Sequence, residues 1–236
     1  MLKRLAVPAA ALVLLPALAA CGGGSSSTTA EDPGTGTPSG PSSSAAGGTT
    51  CDYPADSQSA TRQVNPPPAT PDVSGTVDVT MKTSIGTLDA TLDADQTPCT
   101  VNSFVSLAKQ GFFDKTPCHR LTTASTGIFV LQCGDPSGTG TGGPGYTIPD
   151  EISGKETYGP GTLAMANTGQ PDSGGSQFFI VYQNTPLPAK YTVFGTISAA
   201  GVKDVQKVAR QGTDNAYGQG DGHPKVTVTL EKVTAN

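Results

Sequence analysis

From Thr76 onward the apolar residues of this chain come in short packets, each ended by glycine, proline or a polar turn: TVDVTMKT, TLDATLDA, IFVLQC, GTLAMA, QFFIVY, YTVFGTI and VTVTLEKV. Packets of roughly four to eight residues have the length of strands and are too short for core helices. The first two alternate, with Val77, Val79 and Met81 on one face and Leu88, Ala90 and Leu92 on one face of the next. A turn at Ile85-Gly86 makes the two a hairpin. Only two stretches change to a helical period. In TPCTVNSFVSLAKQG, Thr97 stands as N-cap, Pro98 takes the first helical position and Gly111 closes the C-terminus. Val101, Phe104, Val105 and Ala108 then share one helical face. In GVKDVQKVARQ the repeat is Val202, Val205 and Val208. About eight short strands and two helices predict a mainly β domain, a closed antiparallel barrel capped by the helices.

That domain is expected over residues 73–236, and what precedes it differs in kind. Residues 1–20 open with Lys3 and Arg4 and continue as LAVPAAALVLLPALAA, which reads as an export signal. Pro8 and Pro16 interrupt it, and it is short for a spanning helix. LAAC, Leu18 to Cys21, resembles the bacterial lipobox, which implies cleavage before Cys21 and its lipidation. The plainer alternative is a secretory signal that happens to be followed by cysteine. More than one acyl chain on Cys21 would give a stable anchor to the outer face of the cytoplasmic membrane. Residues 21–50 are mostly Gly, Ser, Thr, Pro and Ala, and cannot bury enough surface to offset ordering, so a disordered linker is expected. Residues 51–72, with NPPPATP, read as an extended proline-stiffened arm.

The net charge of −5, with no basic stripe, argues against a nucleic-acid partner. With only two histidines and no C-x-x-C, the cysteines do not have zinc spacing, and no metal or cofactor is expected. Setting Cys21 aside, Cys51, Cys99, Cys118 and Cys133 remain, an even number in an exported chain. Two disulfides are expected, with three connectivities open; buried reduced thiols are the alternative.

Several motifs carry less than they promise. GTGTGGPG, residues 138–145, lacks the Lys-Ser/Thr ending of a phosphate loop and reads as a flexible turn. Ser176 lacks the G-x-S-x-G elbow, and neither His119 nor His223 has a convincing acid partner, so a hydrolase is not expected. His223 reads as an exposed turn residue. His119 should face away from Arg120, because strand neighbours point to opposite sides. Arg120 itself sits in an uncharged stretch, with no acid near it until Asp135. Such an arginine is either a solvated surface residue or a functional one. Phe129, Val130, Phe179 and Leu187 can line an apolar pocket, and Gln132, Ala166-Asn167 and Gln177 can set polar groups around it.

TVNSFVSLAKQGFFD, HR, FVLQCGD, GTGG, GTLAMAN, GSQFFI and VFG, in that order, resemble the cyclophilins, the barrel-type peptidyl-prolyl cis–trans isomerases, from about Val77 to Val233. The resemblance implies an eight-stranded closed barrel with a helix at each end and a proline-binding groove on its outer surface. It places the catalytic arginine at Arg120 and the proline pocket at Phe129, Val130, Phe179 and Leu187. Peptide-binding amides fall on Gln132, Asn167 and Gln177, with Ala166 and Thr168 flanking Asn167 and Gly140 along the groove. The expected partners are proline-containing, exported polypeptides, and the expected form is a tethered monomer. The resemblance also implies a Cys118–Cys133 bridge across a hairpin beside Arg120, and a Cys51–Cys99 bridge stapling the arm to the first helix.

Five departures from the family stand out. Val130 replaces a methionine, and LTTASTGI after HR is longer than the usual turn. Tyr191 occupies the position of the pocket histidine. Pro186 occupies that of a common groove-edge tryptophan, and GQPDSGG is one residue longer than usual. Weak cyclosporin binding is expected from the replacement of that tryptophan by Pro186. A peptide-binding module of this fold, with weak or no turnover, is the alternative function. A transporter's solute-binding lipoprotein would need two α/β lobes.

Overall fold

The computed structural model describes residues 48–236. The expected signal segment, Cys21 and nearly all of the expected linker lie outside the described residues. Strands β1 (Thr76–Thr83) and β2 (Gly86–Asp93) form the expected hairpin, but the register pairs Thr83 with Gly86. The turn is therefore Ser84-Ile85, one residue earlier than anticipated. Thr83 fixes it locally: its Oγ1 accepts from Ile85 N–H and donates to Gly86 O. The alternating residues of both strands are buried as their period requires.

Helix α1 (Pro98–Lys109) buries Val101, Phe104, Val105 and Ala108. Thr97 stands at its N-cap but does not cap it; its hydroxyl donates back to Asp93 O at 2.9 Å. The open N–H groups of Cys99 and Thr100 are taken instead by the two carboxylate oxygens of Glu151, at 2.9 and 2.8 Å. A carboxylate is favoured there by both hydrogen bonding and the helix dipole. Helix α2 (Ala199–Ala209) is capped by Ser198 Oγ, which accepts from Gly201 N–H, and buries Val202, Val205 and Val208.

The other strands are β3 (Thr116–Pro117), β4 (Arg120–Thr122), β5 (Val130–Cys133), β6 (Thr162–Met165), β7 (Phe178–Val181), β8 (Val193–Ile197), β9 (Asp221–Gly222) and β10 (Thr229–Ala235). All pairings are antiparallel, in the order β3-β10-β1-β2-β8-β6-β7-β5-β4-β9. The expected closed eight-stranded barrel is thus a curled sheet of ten strands, in which two-residue strands terminate both ends. The ladder does not close. Pro117 has no N–H to extend it, and β3 and β4 are joined by the chain through Cys118-His119.

Alternation sorts side chains onto two apolar layers. Leu131 and Cys133 of β5, and Phe178 and Ile180 of β7, enter the main core, where Phe104, Phe113, Phe178 and Phe194 pack ring against ring. Val130 of β5, with Phe179 and Val181 of β7, form a separate outer cluster. Both expected disulfides are present, Cys51–Cys99 and Cys118–Cys133, with Cα atoms 5.4 and 4.0 Å apart.

Candidate active site

Register assembles the site. Arg120 pairs with Gln132 between β4 and β5, Gln132 with Phe179 between β5 and β7, and Phe179 with Ala164 between β7 and β6. Cross-strand partners share a face, so these four side chains form one row on the outer surface. Beside this row lies a cavity of about 210 Å³, lined by Val130, Phe179, Leu187, Tyr191, Ile128 and Ala166, with Arg120, Thr122, Gln132 and Asn167 supplying polar groups. Tyr191 stands edge-on to Phe179, with ring centroids 5.4 Å apart and planes at 84°. Its backbone is held by Tyr158, whose hydroxyl accepts from Tyr191 N–H and lies 3.2 Å from Tyr191 O and from Pro188 O. A larger cavity, about 750 Å³, lies elsewhere, beside Glu151, and holds none of the expected site residues.

Phe129 is not in this cavity. It packs on the main core, edge-on to Tyr182 at 5.9 Å. Phe129 and Val130 are adjacent on an extended chain, so they face opposite sides, and Ile128 is the residue in phase with Val130 and Gln132. The same rule sends His119 inward, with 3% exposure, while the Arg120 side chain remains 41% exposed.

Arg120 does have an acidic partner. Its Nε donates to Asp221 Oδ1 at 2.8 Å and its Nη2 to Oδ2 at 2.6 Å, a bidentate pair spanning 101 residues of sequence. Asp221 is 16% exposed and is carried by β9, which pairs with β4. The bond to Asp221 is the main reason that the Arg120 pKa is raised further. Two of the five guanidinium N–H groups are spent in this fork, leaving three for other partners. The long turn after Arg120 receives the Asp221 loop: Thr123 N–H and Oγ1 both donate to Gly220 O, at 2.8 and 3.1 Å. A Cβ on Gly220 would come within 2.7 Å of Ser125 and Thr123.

The amide side chains form a relay. Gln132 Nε2 donates to Gln177 Oε1 at 2.8 Å, and Gln177 Nε2 donates to Gly140 O and Gly142 O at 3.0 and 2.9 Å. Gln177 has therefore spent its donors inside the protein, and Gln132 is the amide left with capacity beside Arg120. Asn167 is similarly engaged: Nδ2 donates to Lys190 O, and Oδ1 accepts from Gly169 N–H. Its backbone N–H and C=O take no backbone partner among the described residues. Thr168 is exposed and donates to Ser173 Oγ through both its N–H and its hydroxyl.

The glycine-rich stretch folds around the buried carboxylate of Asp135, which accepts from Ser137, Gly140 N–H and Gly142 N–H. Those amides are turned to an internal anion, Asp135. Ser176 is buried and donates to Gly134 O at 2.7 Å. His223 does have an acid partner, Asp214 at 2.8 Å, and Tyr217 lies on its other ring nitrogen. This exposed array is not joined to Ser176 and forms no triad.

Burial depresses the His119 pKa below the ordinary 6.5; Asp135 opposes that shift and Arg120 adds to it. Burial pushes Asp135 upward, but its hydrogen bonds from Ser137, Gly142 and Gly140 together hold it below the ordinary 3.8. Both groups therefore take up protons more readily when unfolded. Their contributions to stability are complete above the unfolded values and are lost as pH falls through the folded ones. The unfolding free energy from urea titrations should decline as pH is lowered below 6.5, by at most about 1.4 kcal/mol per pH unit for one proton. A second decline should begin below about 3.8, where Asp135 protonates in the unfolded chain. His119→Asn should remove the first decline; an unchanged slope would assign it to another group.

Residues 77–235 match the family described as "Cyclophilin type peptidyl-prolyl cis-trans isomerase/CLD". "Probable peptidyl-prolyl cis-trans isomerase B" of Mycobacterium leprae is 46% identical over 201 residues, covering 79% of this chain and 66% of the relative. The protein of the same description from Mycobacterium tuberculosis is 45% identical over 200 residues, covering 79% and 64%. This chain thus spans about two thirds of the length of these relatives. A crystal structure of a Cryptosporidium parvum cyclophilin type peptidyl-prolyl cis-trans isomerase matches with a TM-score of 0.60 and 28% identity, over 68% of this chain and 98% of that one. The same protein in the presence of the dipeptide Ala-Pro matches with a TM-score of 0.59.

Proposed function

This chain belongs to the cyclophilin-type peptidyl-prolyl cis–trans isomerase family, and we propose that it isomerises X-Pro bonds of exported polypeptides by stabilising the twisted amide against Arg120. The observation that carries this reading is the row Arg120–Gln132–Phe179 running beside an apolar cavity. The uncatalysed reaction takes roughly tens to hundreds of seconds, because rotation must break amide resonance. No acid, base, metal or nucleophile is required. The catalyst need only bind the twisted state better than either planar one.

Twisting localises a lone pair on the proline nitrogen. The three uncommitted N–H groups of Arg120 can donate to that nitrogen or to the neighbouring carbonyl as the lone pair appears. The proline ring occupies the cavity over Phe179 and Val130. The backbone of Asn167 and the side chain of Gln132 hold the flanking peptide while the remainder turns. An acceleration of about 10⁵ requires roughly 7 kcal/mol of differential binding. A charge-assisted hydrogen bond supplies about 1.5–3 kcal/mol, so the shape of the cavity contributes the larger share. Cis-to-trans relaxation of an Ala-Pro-Phe peptide, followed by NMR exchange, tests the reading. Line broadening by catalytic amounts of protein is expected. Peptide shifts on binding without faster exchange would make the protein a holding module instead.

The LAAC motif supports attachment to the outer face of the cytoplasmic membrane through lipidated Cys21, as a tethered monomer. Cys21→Ser should move the protein from the membrane fraction to the soluble one. Pro186 is exposed where family members often carry an indole donor, and this supports weak affinity for cyclosporin. Pro186→Trp should strengthen that affinity about tenfold by titration calorimetry, while leaving proline-peptide turnover within about twofold.

A further inference from the structure

The arm ahead of the family domain lines a cavity that adjoins the one beside Arg120. Residues 51–72 precede the matched region, which begins at 77. From the Cys51–Cys99 bridge the arm runs against the glycine-rich stretch. Thr147 N–H donates to Pro54 O, Asp56 N–H to Gly145 O and Thr61 N–H to Gly143 O, at 3.0, 2.9 and 2.9 Å. Thr61 Oγ1 accepts in return from Gly143 N–H at 3.0 Å. The approach is close enough that a Cβ on Gly142 would collide with Thr61, and one on Gly145 would come within 3.0 Å of Ala60. Beyond it, Arg62 Nη1 donates to the carbonyls of Gly111, Phe112 and Asp114 at 2.9, 2.7 and 2.9 Å.

A second cavity, about 310 Å³, shares Gln132, Ala166 and Asn167 with the proline cavity, and the arm's Asp56 and Gln58 contribute to its wall. Asp56 is the one charged side chain lining it. Its Oδ1 accepts from Ser57 Oγ and Gln58 N–H at 3.2 and 3.1 Å, while Oδ2 accepts from no donor among the described residues. We infer that the arm selects the substrate: the Asp56–Gln58 segment reads a side chain flanking the proline and favours lysine or arginine there over glutamate. This rests on the isomerase reading for the use of the first cavity, but the carboxylate acts on binding, whatever the turnover. A partly exposed ion pair changes affinity by about 1.4- to 5-fold. A like charge disfavours glutamate by a similar factor, so the lysine-to-glutamate ratio should be about 2- to 25-fold. It should shrink at high salt, because the Debye length falls from about 10 Å at 0.1 M to about 3 Å at 1 M.

The test uses the full chain under oxidising conditions and two labelled peptide series, with Lys, Ala or Glu placed on either side of the proline. Affinity is read by fluorescence anisotropy and turnover by NMR exchange. On one side of the proline the affinity order should be Lys, Ala, Glu. Asp56→Asn should collapse the ratio, Asp56→Lys should invert it, and Asp56→Glu should preserve it. No discrimination on either side, or a ratio indifferent to Asp56→Asn and Asp56→Lys, overturns the inference. Discrimination without turnover upholds it and removes the isomerase reading. Turnover without discrimination does the reverse.

Discussion

Replacing Arg120 by Ala is expected to lower kcat/KM for an Ala-Pro-Phe peptide by about 10- to 150-fold, with the protein still folded by circular dichroism. The range is that of one charge-assisted hydrogen bond, about 1.5–3 kcal/mol, removed from the transition state. The loss should fall on kcat more than on KM, because the lone pair that Arg120 meets exists only in the twisted amide. Arg120→Lys should recover little. The bidentate pair with Asp221 takes Nε and Nη2 in one plane, and an ammonium cannot serve that fork and the substrate together. On the proposed mechanism Asp221 is a positioning residue, acting through the guanidinium. Asp221→Asn keeps one acceptor and should lose several-fold in kcat, Asp221→Ala more, and Asp221→Glu should regain part of the difference. A full-length Arg120→Ala protein with wild-type turnover would move the chemistry away from this row.

The Arg120–Asp221 pair marks where the sequence stops being readable. Strands and helices were legible because their cause is local: a period of two through Val77, Val79 and Met81, and a helical period through Val202, Val205 and Val208. Asp221 lies 101 residues from Arg120. The two-residue pairing of β9 with β4 and the bonds of Thr123 to Gly220 O bring them together, and nothing in GDGHPKV signals a strand. The same limit hid Glu151 as the cap of α1, across about fifty residues of chain. Phe129 failed differently. The strand parity that correctly turned His119 away from Arg120 also forbids Phe129 and Val130 from sharing a pocket, but both the residue pattern and the family resemblance placed them together without applying it. The placement of Gln132, Asn167, Phe179, Leu187 and Tyr191 came from that resemblance; composition and periodicity allowed it without requiring it. Gln177 and Asn167 show what resemblance leaves out, since each is already bonded within the protein.

Removing the Cys51–Cys99 bridge by paired alanine substitutions should cost about 4 kcal/mol, against about 3 kcal/mol for Cys118–Cys133. The loops closed span 48 and 15 residues, and the longer loop restrains the unfolded chain more. The consequences for function should run in a different order of severity. Cys118 precedes Arg120 by two residues and Cys133 follows Gln132, so their loss loosens the β4–β5 pair itself, and kcat should fall. Cys51 holds only the arm. Without it the arm keeps the hydrogen bonds of Pro54, Asp56, Thr61 and Arg62 described above, together with Tyr53 OH to Cys99 O at 3.0 Å and Asn102 Nδ2 to Pro68 O at 2.9 Å, but these lie at or near the surface and contribute only about 1 kcal/mol each. The arm should therefore open before the barrel does. Amide exchange at Asp56 and Thr61 should accelerate by orders of magnitude in the Cys51/Cys99 variant, while Leu131 and Ile180 in the core keep their protection. If core and arm amides accelerate together, the arm and barrel are one cooperative unit and the bridge restrains both. If only the arm amides change, peptide discrimination should weaken while the turnover proposed at Arg120 persists, because what the disulfide holds in place is the wall carrying Asp56 rather than the row proposed to turn the proline.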